Sequence, residues 1–208
     1  MNLGFGENNN SAYFETNNQL YIIDCGFSVF SKIKNKFDFN KYKSINIIIT
    51  HLHNDHAGSL SQIILYLFFV FNKTVNVFCK CDKIKEYLDI TGTPEEAYQL
   101  KEKSEELKFI KTDHVKYLDA YGFEIKINDR KIIYTGDSNN LESFIPYLKD
   151  AAEFYVDVSK FGGAHLKIDT VLDDLIEISN HGTKVYLMHI DDKKYIETII
   201  SKNELYFA

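Results

Sequence analysis

Short apolar runs rich in β-branched and aromatic residues punctuate this chain. Ile45-Asn46-Ile47-Ile48-Ile49 and Val75-Asn76-Val77-Phe78-Cys79 are the clearest, and each is bounded by polar residues, which predicts strands. The same pattern predicts strands over 11–16, 19–24, 45–50, 75–79, 122–128, 131–135, 153–158 and 184–188, with a shorter candidate at Phe109-Ile110. Asn17-Asn18 reads as the tip of a hairpin and Asn8-Asn9-Asn10 as the turn before it. Helices are expected over 58–71, 82–90, 94–107, 139–149 and 168–180. The helix at 94 has start chemistry: Thr93 to cap, Pro94 for the first position, then Glu95 and Glu96 at the positive end of the dipole. The helix at 168 shows Ile168, Val171, Leu172, Leu175, Ile176 and Ile178, a spacing that marks one buried side. Strands come in two batches, each followed by helix, which supports an α/β or α+β class.

Composition bounds this picture. A chain of 208 residues, 45% hydrophobic, with 2 Pro and no linker-like stretch, is expected to form a single domain over 1–208. A net charge of −6 argues against a large nucleic-acid footprint, although Lys32, Lys34 and Lys36 form a local basic cluster. Three cysteines without framework spacing point to reduced thiols and a cytoplasmic setting. Cys79-Lys80-Cys81 reads as small apolar fill at a strand end in preference to a metal pair. Residues 1–7 carry neither a basic segment nor an apolar one of the kind that directs secretion. The run Ile63–Phe71 is far shorter than the ~20 residues that span a bilayer. It reads as a buried helix, with part of it a candidate face for a homodimer.

The chemistry is concentrated in Thr50-His51-Leu52-His53-Asn54-Asp55-His56-Ala57-Gly58, directly after the first of those strands. Three imidazoles and a carboxylate in six positions suit a first-row divalent metal. A chain leaving a strand and turning can aim His51 and His53 at one ion and Asp55 and His56 at a neighbour.

This segment resembles the His-x-His-x-Asp-His signature of the metallo-β-lactamase superfamily. Leu20-Tyr21-Ile22-Ile23-Asp24-Cys25-Gly26 looks like the family's Asp-x-Gly turn, and His114, Asp137 in Tyr134-Thr135-Gly136-Asp137-Ser138, and His189 follow in the family's order. The resemblance implies an αββα sandwich of two mixed sheets flanked by helices. It implies one metal on His51, His53 and His114, a second on Asp55, His56 and His189, and Asp137 between them. Two divalent ions, Zn2+ above Mn2+ or Fe2+, would act through a shared hydroxide. His53, where redox-active diiron relatives place a carboxylate, points away from oxygen chemistry.

Within the superfamily the chain looks most like the ribonuclease Z-like and phosphodiesterase branch. Gly163-Ala164-His165-Leu166 resembles the extra histidine those enzymes place near the scissile phosphate, and Asp157 or Glu153 is a candidate to orient it. By that resemblance Asp55 and His165 are the catalytic candidates, His165 as general acid; a helix-capping or surface histidine is the alternative for His165. His181, in Asn180-His181-Gly182, reads as a helix stop. A long substrate-clamping arm is not visible. The expected substrate is therefore a small phosphodiester, such as a cyclic nucleotide or a nucleic-acid fragment. A lactonase or thioesterase of the same fold, and a non-catalytic metal-binding scaffold, are the alternatives.

Overall fold

The computed structural model describes residues 11–200 and 204–208, so Asn8-Asn9-Asn10 lies outside the described residues. Its contacts divide the chain into two compact units, Met1–Lys103 and Ser104–Ala208.

The first unit is built on a five-stranded mixed sheet. β1 (Ala12–Thr16) and β2 (Gln19–Ile23) form an antiparallel hairpin; Asn17 and Asn18 take φ of 48° and 59°, the left-handed pair a tight two-residue turn requires. α1 (Val29–Ile33) leads to β3 (Ser44–Ile49), which lies parallel to β2 and to β4 (Val75–Cys79). Central in the order β1-β2-β3-β4-β5, β3 is buried on both faces, which explains its isoleucine-rich run; Asn46 within it is hydrogen-bonded to Gln19 and Asn76. α3 (Leu60–Phe71) fills the helix expected over 58–71, and α2 (Asn54–Ala57), which was not anticipated, precedes it. Leu60, Ile63, Ile64 and Leu67 of α3 are buried, while Phe69 and Val70 at its end are exposed. α4 (Ile84–Ile90) follows the expected span 82–90 closely.

The helix expected over 94–107 does not form. Glu95–Ala97 makes a single 3-10 turn, and β5 (Tyr98–Lys101) runs parallel to β4, with Tyr98 opposite Val75. Pro94 sits at ψ 142°, an extended residue outside the helical region. Pairing with β4 satisfies the backbone of 98–101 and overrides the local helix signals.

The second unit carries six strands in the order β11-β10-β9-β8-β7-β6. β6 (Leu107–Thr112), β7 (Ala120–Ile127) and β8 (Arg130–Tyr134) form an antiparallel meander; β9 (Glu153–Asp157), β10 (Lys184–Met188) and β11 (Leu205–Phe207) continue in parallel from β8. α5 (Ile168–Asn180) matches its expected span, and His181 caps its C-terminus. α6 (Lys193–Ile200) and β11 were not anticipated. The helix expected over 139–149 is reduced to a 3-10 turn, Ile145–Tyr147, because Pro146 removes a donor and blocks the preceding turn.

The two faces of this sheet differ. Phe154, Val156, Val185 and Leu187 pack with Val171 and Leu175 of α5 and Ile196 and Ile200 of α6. On the other face Phe123, Tyr134, Tyr155, Tyr186 and Tyr206 stand in cross-strand register as a ladder of rings, with centroids 4.7 to 6.2 Å apart. β6, β8, β9 and β10 all point the same way, so their C-terminal ends share one edge. No helix among the described residues is long and apolar enough to cross a membrane.

Candidate metal centre

In the first unit the candidate ligands and the buried carboxylate Asp24 follow the C-terminal ends of neighbouring parallel strands. Asp24 follows β2 and Thr50 to His56 follow β3. Asp24 is fully buried at φ 57° and accepts from Thr50 N (2.9 Å) and Thr50 Oγ1 (2.9 Å). The Thr50 hydroxyl spends its proton on Asp24, so it accepts from His51 Nδ1 at 3.1 Å. That fixes the tautomer of His51 and leaves a lone pair on Nε2, which faces His53 Nδ1 at 3.0 Å. Two imidazole donors on one tetrahedral zinc sit about 3.3 Å apart, given Zn–N near 2.0–2.1 Å. His56, also fully buried, donates Nδ1–H to Asp24 Oδ2 at 2.9 Å and turns Nε2 toward Asp55 Oδ2 at 3.6 Å. Burial pushes the Asp24 carboxyl up, against the opposing pull of His56 and the Thr50 donors.

In the second unit the ligand candidates, and Asp157 beside them, lie along the shared strand edge. His114 follows β6, Asp137 follows β8, Asp157 ends β9 and His189 follows β10 at φ 57°. Asp137 is buried, and its Oδ2 lies 3.5 Å from His189 Nε2, 3.8 Å from His114 Nε2 and 4.0 Å from His165 Nδ1. His114 donates Nδ1–H to the Ala164 carbonyl at 2.8 Å, so Nε2 carries the lone pair turned to Asp137. His165 donates Nδ1–H to Asp157 Oδ2 at 2.7 Å and stacks on His189 at 4.6 Å between centroids. Burial pulls the His165 imidazole down, but the Asp157 hydrogen bond and charge outweigh it, so the ring holds its proton above the ordinary histidine range.

Most candidates thus sit at or just past a strand end, with Asp55 and His56 in the short helix α2 that follows β3, and most rings are anchored through Nδ1. An imidazole tied on one nitrogen to a carboxylate, hydroxyl or carbonyl is the arrangement metal-binding histidines adopt. The donor set fits a divalent cation of the zinc class. Of the two carboxylates weighed for His165, Asp157 is the partner; Glu153 is engaged by Tyr155 Oη (2.8 Å) and by Arg130. Asp24 was visible as part of an Asp-x-Gly turn, but its hold on His56 was not. Asn139, whose Nδ2 donates to the His114 carbonyl at 3.3 Å, gave no signal.

Residues 4–89 match the family of anti-Pycsar protein Apyc1. The anti-Pycsar protein Apyc1 of Bacillus phage 010DV004 is 27% identical over 88% of this chain and 83% of its own length. The probable metallo-hydrolase YhfI of Bacillus subtilis is 25% identical over 74% of this chain and 68% of its own. The crystal structure of YhfI, a metallo-β-lactamase fold protein, superposes with a TM-score of 0.73 at 18% identity, covering 99% of this chain and 90% of YhfI. The chain has the metallo-β-lactamase fold. Human tRNase Z, short form, shares that fold with it at a TM-score of 0.69 and 15% identity, over 96% of this chain and 89% of the human one. Two mixed sheets with their helices, and His and Asp residues gathered at strand ends, are the metallo-β-lactamase elements this chain displays.

Proposed function

We propose that this chain is a binuclear metal-dependent phosphodiesterase acting on a small phosphodiester, a cyclic nucleotide first among them. In this reading His51, His53 and His114 hold one ion, Asp55, His56 and His189 hold the other, and Asp137 serves both. The observation that carries it is the group at Asp137: a buried carboxylate ringed by His114 Nε2, His189 Nε2 and the carboxylate-anchored His165. Metal ligation accounts for His114 and His189; His165, held by Asp157, is the additional group that phosphodiester cleavage uses. The net charge of −6 favours a small diester over a long nucleic acid, and the likeness to the anti-Pycsar proteins supports the same choice.

The ions, when bound, supply Lewis acidity and lower the pKa of water toward ~7. The protein's own part is positional. Asp24 and Thr50 fix the rings of His56 and His51. Asp55 would hold one ion and orient the attacking water. Asp157 keeps His165 oriented and charged, and His165 gives its Nε2 proton to the leaving alkoxide as general acid.

Purified protein loaded with zinc or manganese is expected to cleave cyclic nucleotides and bis-p-nitrophenyl phosphate. Asp55→Ala and His56→Ala are expected to abolish that turnover while the chain stays folded by circular dichroism. Wild-type activity in either variant in metal-replete buffer defeats the scheme. Turnover of a lactone or thioester with none of phosphodiesters assigns the site to carbonyl substrates instead.

A further inference from the structure

The second unit holds a cavity of about 630 Å³ that the ligand set does not use. Its size falls within the 300–1,000 Å³ of small-molecule pockets. Its lining includes His165, Phe161, Asn139, Glu142, Lys167 and Asp174. We infer that this cavity is a nucleobase subsite, with Phe161 as the ring on which the base stacks. The inference rests on the phosphodiesterase reading and names the part of the substrate that reading leaves open.

Three observations carry it. The first is the state of Phe161. Its side chain is 75% exposed, yet the backbone beneath it is pinned: Phe161 N and Gly162 N donate to Ser159 Oγ at 2.9 and 3.0 Å, Ser159 Oγ donates to Asp191 Oδ2 at 2.6 Å, and Lys160 N donates to Asp191 Oδ1 at 3.0 Å. The Lys160 ammonium lies over the ring at 5.4 Å from its centroid, so a flat ligand would take the opposite face, and a ring on a fixed loop has little ordering cost left when that face is covered. Stacking on an aromatic side chain tolerates any base, because every base has a π-face.

The second is the charge of the lining. Glu142 and Asp174 offset Lys167, so the cavity does not suit a second phosphate. A neutral heterocycle with amide and amino edges meets the carboxylates and the Asn139 side chain instead. The third is continuity with the chemistry. His165 lies 4.0 Å from Asp137 Oδ2 and also lines the cavity. Asn139 Nδ2 bridges the carbonyls of His114 (3.3 Å) and Gly163 (3.4 Å), tying the cavity wall to a proposed ligand. Gly163, at φ 82°, leaves open space where a Cβ would stand, so a ligand can lie against bare backbone there. A diester phosphate at Asp137 and His165 would thus place its nucleoside toward Phe161.

Calorimetric titration of the full-length, manganese-loaded protein with uridine 5′-monophosphate, adenosine 5′-monophosphate and ribose 5-phosphate tests this directly. Wild type is expected to bind both nucleotides about ten-fold or more tighter than ribose 5-phosphate, the range stacking of one base contributes. Phe161→Ala is expected to erase most of that difference, and Phe161→Trp to keep it. Equal affinity of wild type for nucleotides and ribose 5-phosphate overturns the subsite, as does a Phe161→Ala variant that keeps the preference. The readout is binding, so it stays separate from the activity assay: a wild type that cleaves cyclic nucleotides without preferring the base refutes the subsite alone. A wild type that cleaves no phosphodiester refutes the parent reading, whatever it binds.

Discussion

Asp24 accepts from Thr50 and His56 in a fully buried position, and the imidazole it holds has its other nitrogen turned toward Asp55. Asp24→Asn keeps the shape but removes the charge that orients His56. Loss of such a supporting carboxylate typically costs ten- to a hundred-fold in metal affinity. Competition with a chelator of known affinity measures it; an unchanged affinity takes His56 out of the ligand set. His165→Ala tests a different atom. A general acid contributes about 10²–10⁴-fold, and it matters most where the leaving group is a poor one. The variant is therefore expected to lose far more activity on a cyclic nucleotide, which expels an alkoxide, than on bis-p-nitrophenyl phosphate, which expels a stable phenolate. Equal losses on the two substrates remove the acid role. Asp191 gives a pH prediction. Burial raises its carboxyl pKa, but Lys160 N and Ser159 Oγ outweigh burial and hold it below the usual range. A folded pKa below the unfolded one stabilises the protein above the unfolded value, near 3.9. That contribution is lost as pH falls through the folded pKa. The gap in urea midpoint between wild type and Asp191→Asn is thus expected near neutrality and to shrink below about pH 4; a gap independent of pH contradicts it. The dense cluster from His51 to His56 was legible as a candidate because its members are neighbours in the chain. Asp24 with His56, and Asn139 with His114, were not, since only the folded chain brings those pairs together.

Gly122 shows why element boundaries were read less well than element types. The strand expected over 122–128 begins two residues earlier, at Ala120, so Gly122 lies inside β7 and not at its start. The glycine serves a close approach: a Cβ there would meet Tyr134 O at 2.5 Å, Thr135 O at 2.7 Å and Phe144 Cε1 at 2.5 Å. Two of those atoms are backbone and cannot step aside cheaply. Gly122→Ala is expected to destabilise the protein by about 1–3 kcal/mol, as overpacking does, read as a lower urea midpoint with unchanged slope. Wild-type stability would show that β7 and β8 slide apart at little cost. The strands over 75–79 and 184–188 and the helix over 168–180 were legible because one periodicity ran through each. Segment 94–107 misled because a helix-start signal preceded a stretch whose backbone is satisfied by β4, a partner some twenty residues back. Segment 139–149 misled because Pro146 outweighed the apolar spacing around it.

At the scale of the whole chain, the proposed ligand set draws four residues from the first unit and three from the second. Binding is then linked to folding of both. Ions that bind the folded chain alone stabilise it by RT ln(1 + [L]/Kd), about 2.7 kcal/mol at a hundred times Kd. Zinc or manganese is expected to raise the melting temperature of chelator-treated protein, and excess chelator to reverse the rise. Asp137 decides whether the ions are shared. If it serves both, as proposed, Asp137→Ala is expected to abolish most of the stabilisation and to lower the bound metal toward one ion per chain or fewer by elemental analysis. Two independent sites, one per unit, predict otherwise: Asp137→Ala would leave the ion on His51 and His53 in place with its full thermal shift. Buried thiols supply the control for folding. Cys25, Cys79 and Cys81 are all buried, and burial pushes the Cys25 thiol well up, away from the reactive thiolate. All three are expected to resist an aromatic disulfide reagent until denaturant is added, in wild type and in Asp137→Ala alike. Thiols that open in the variant alone would mean that its lost metal reports unfolding, and the shared-carboxylate assignment would fall.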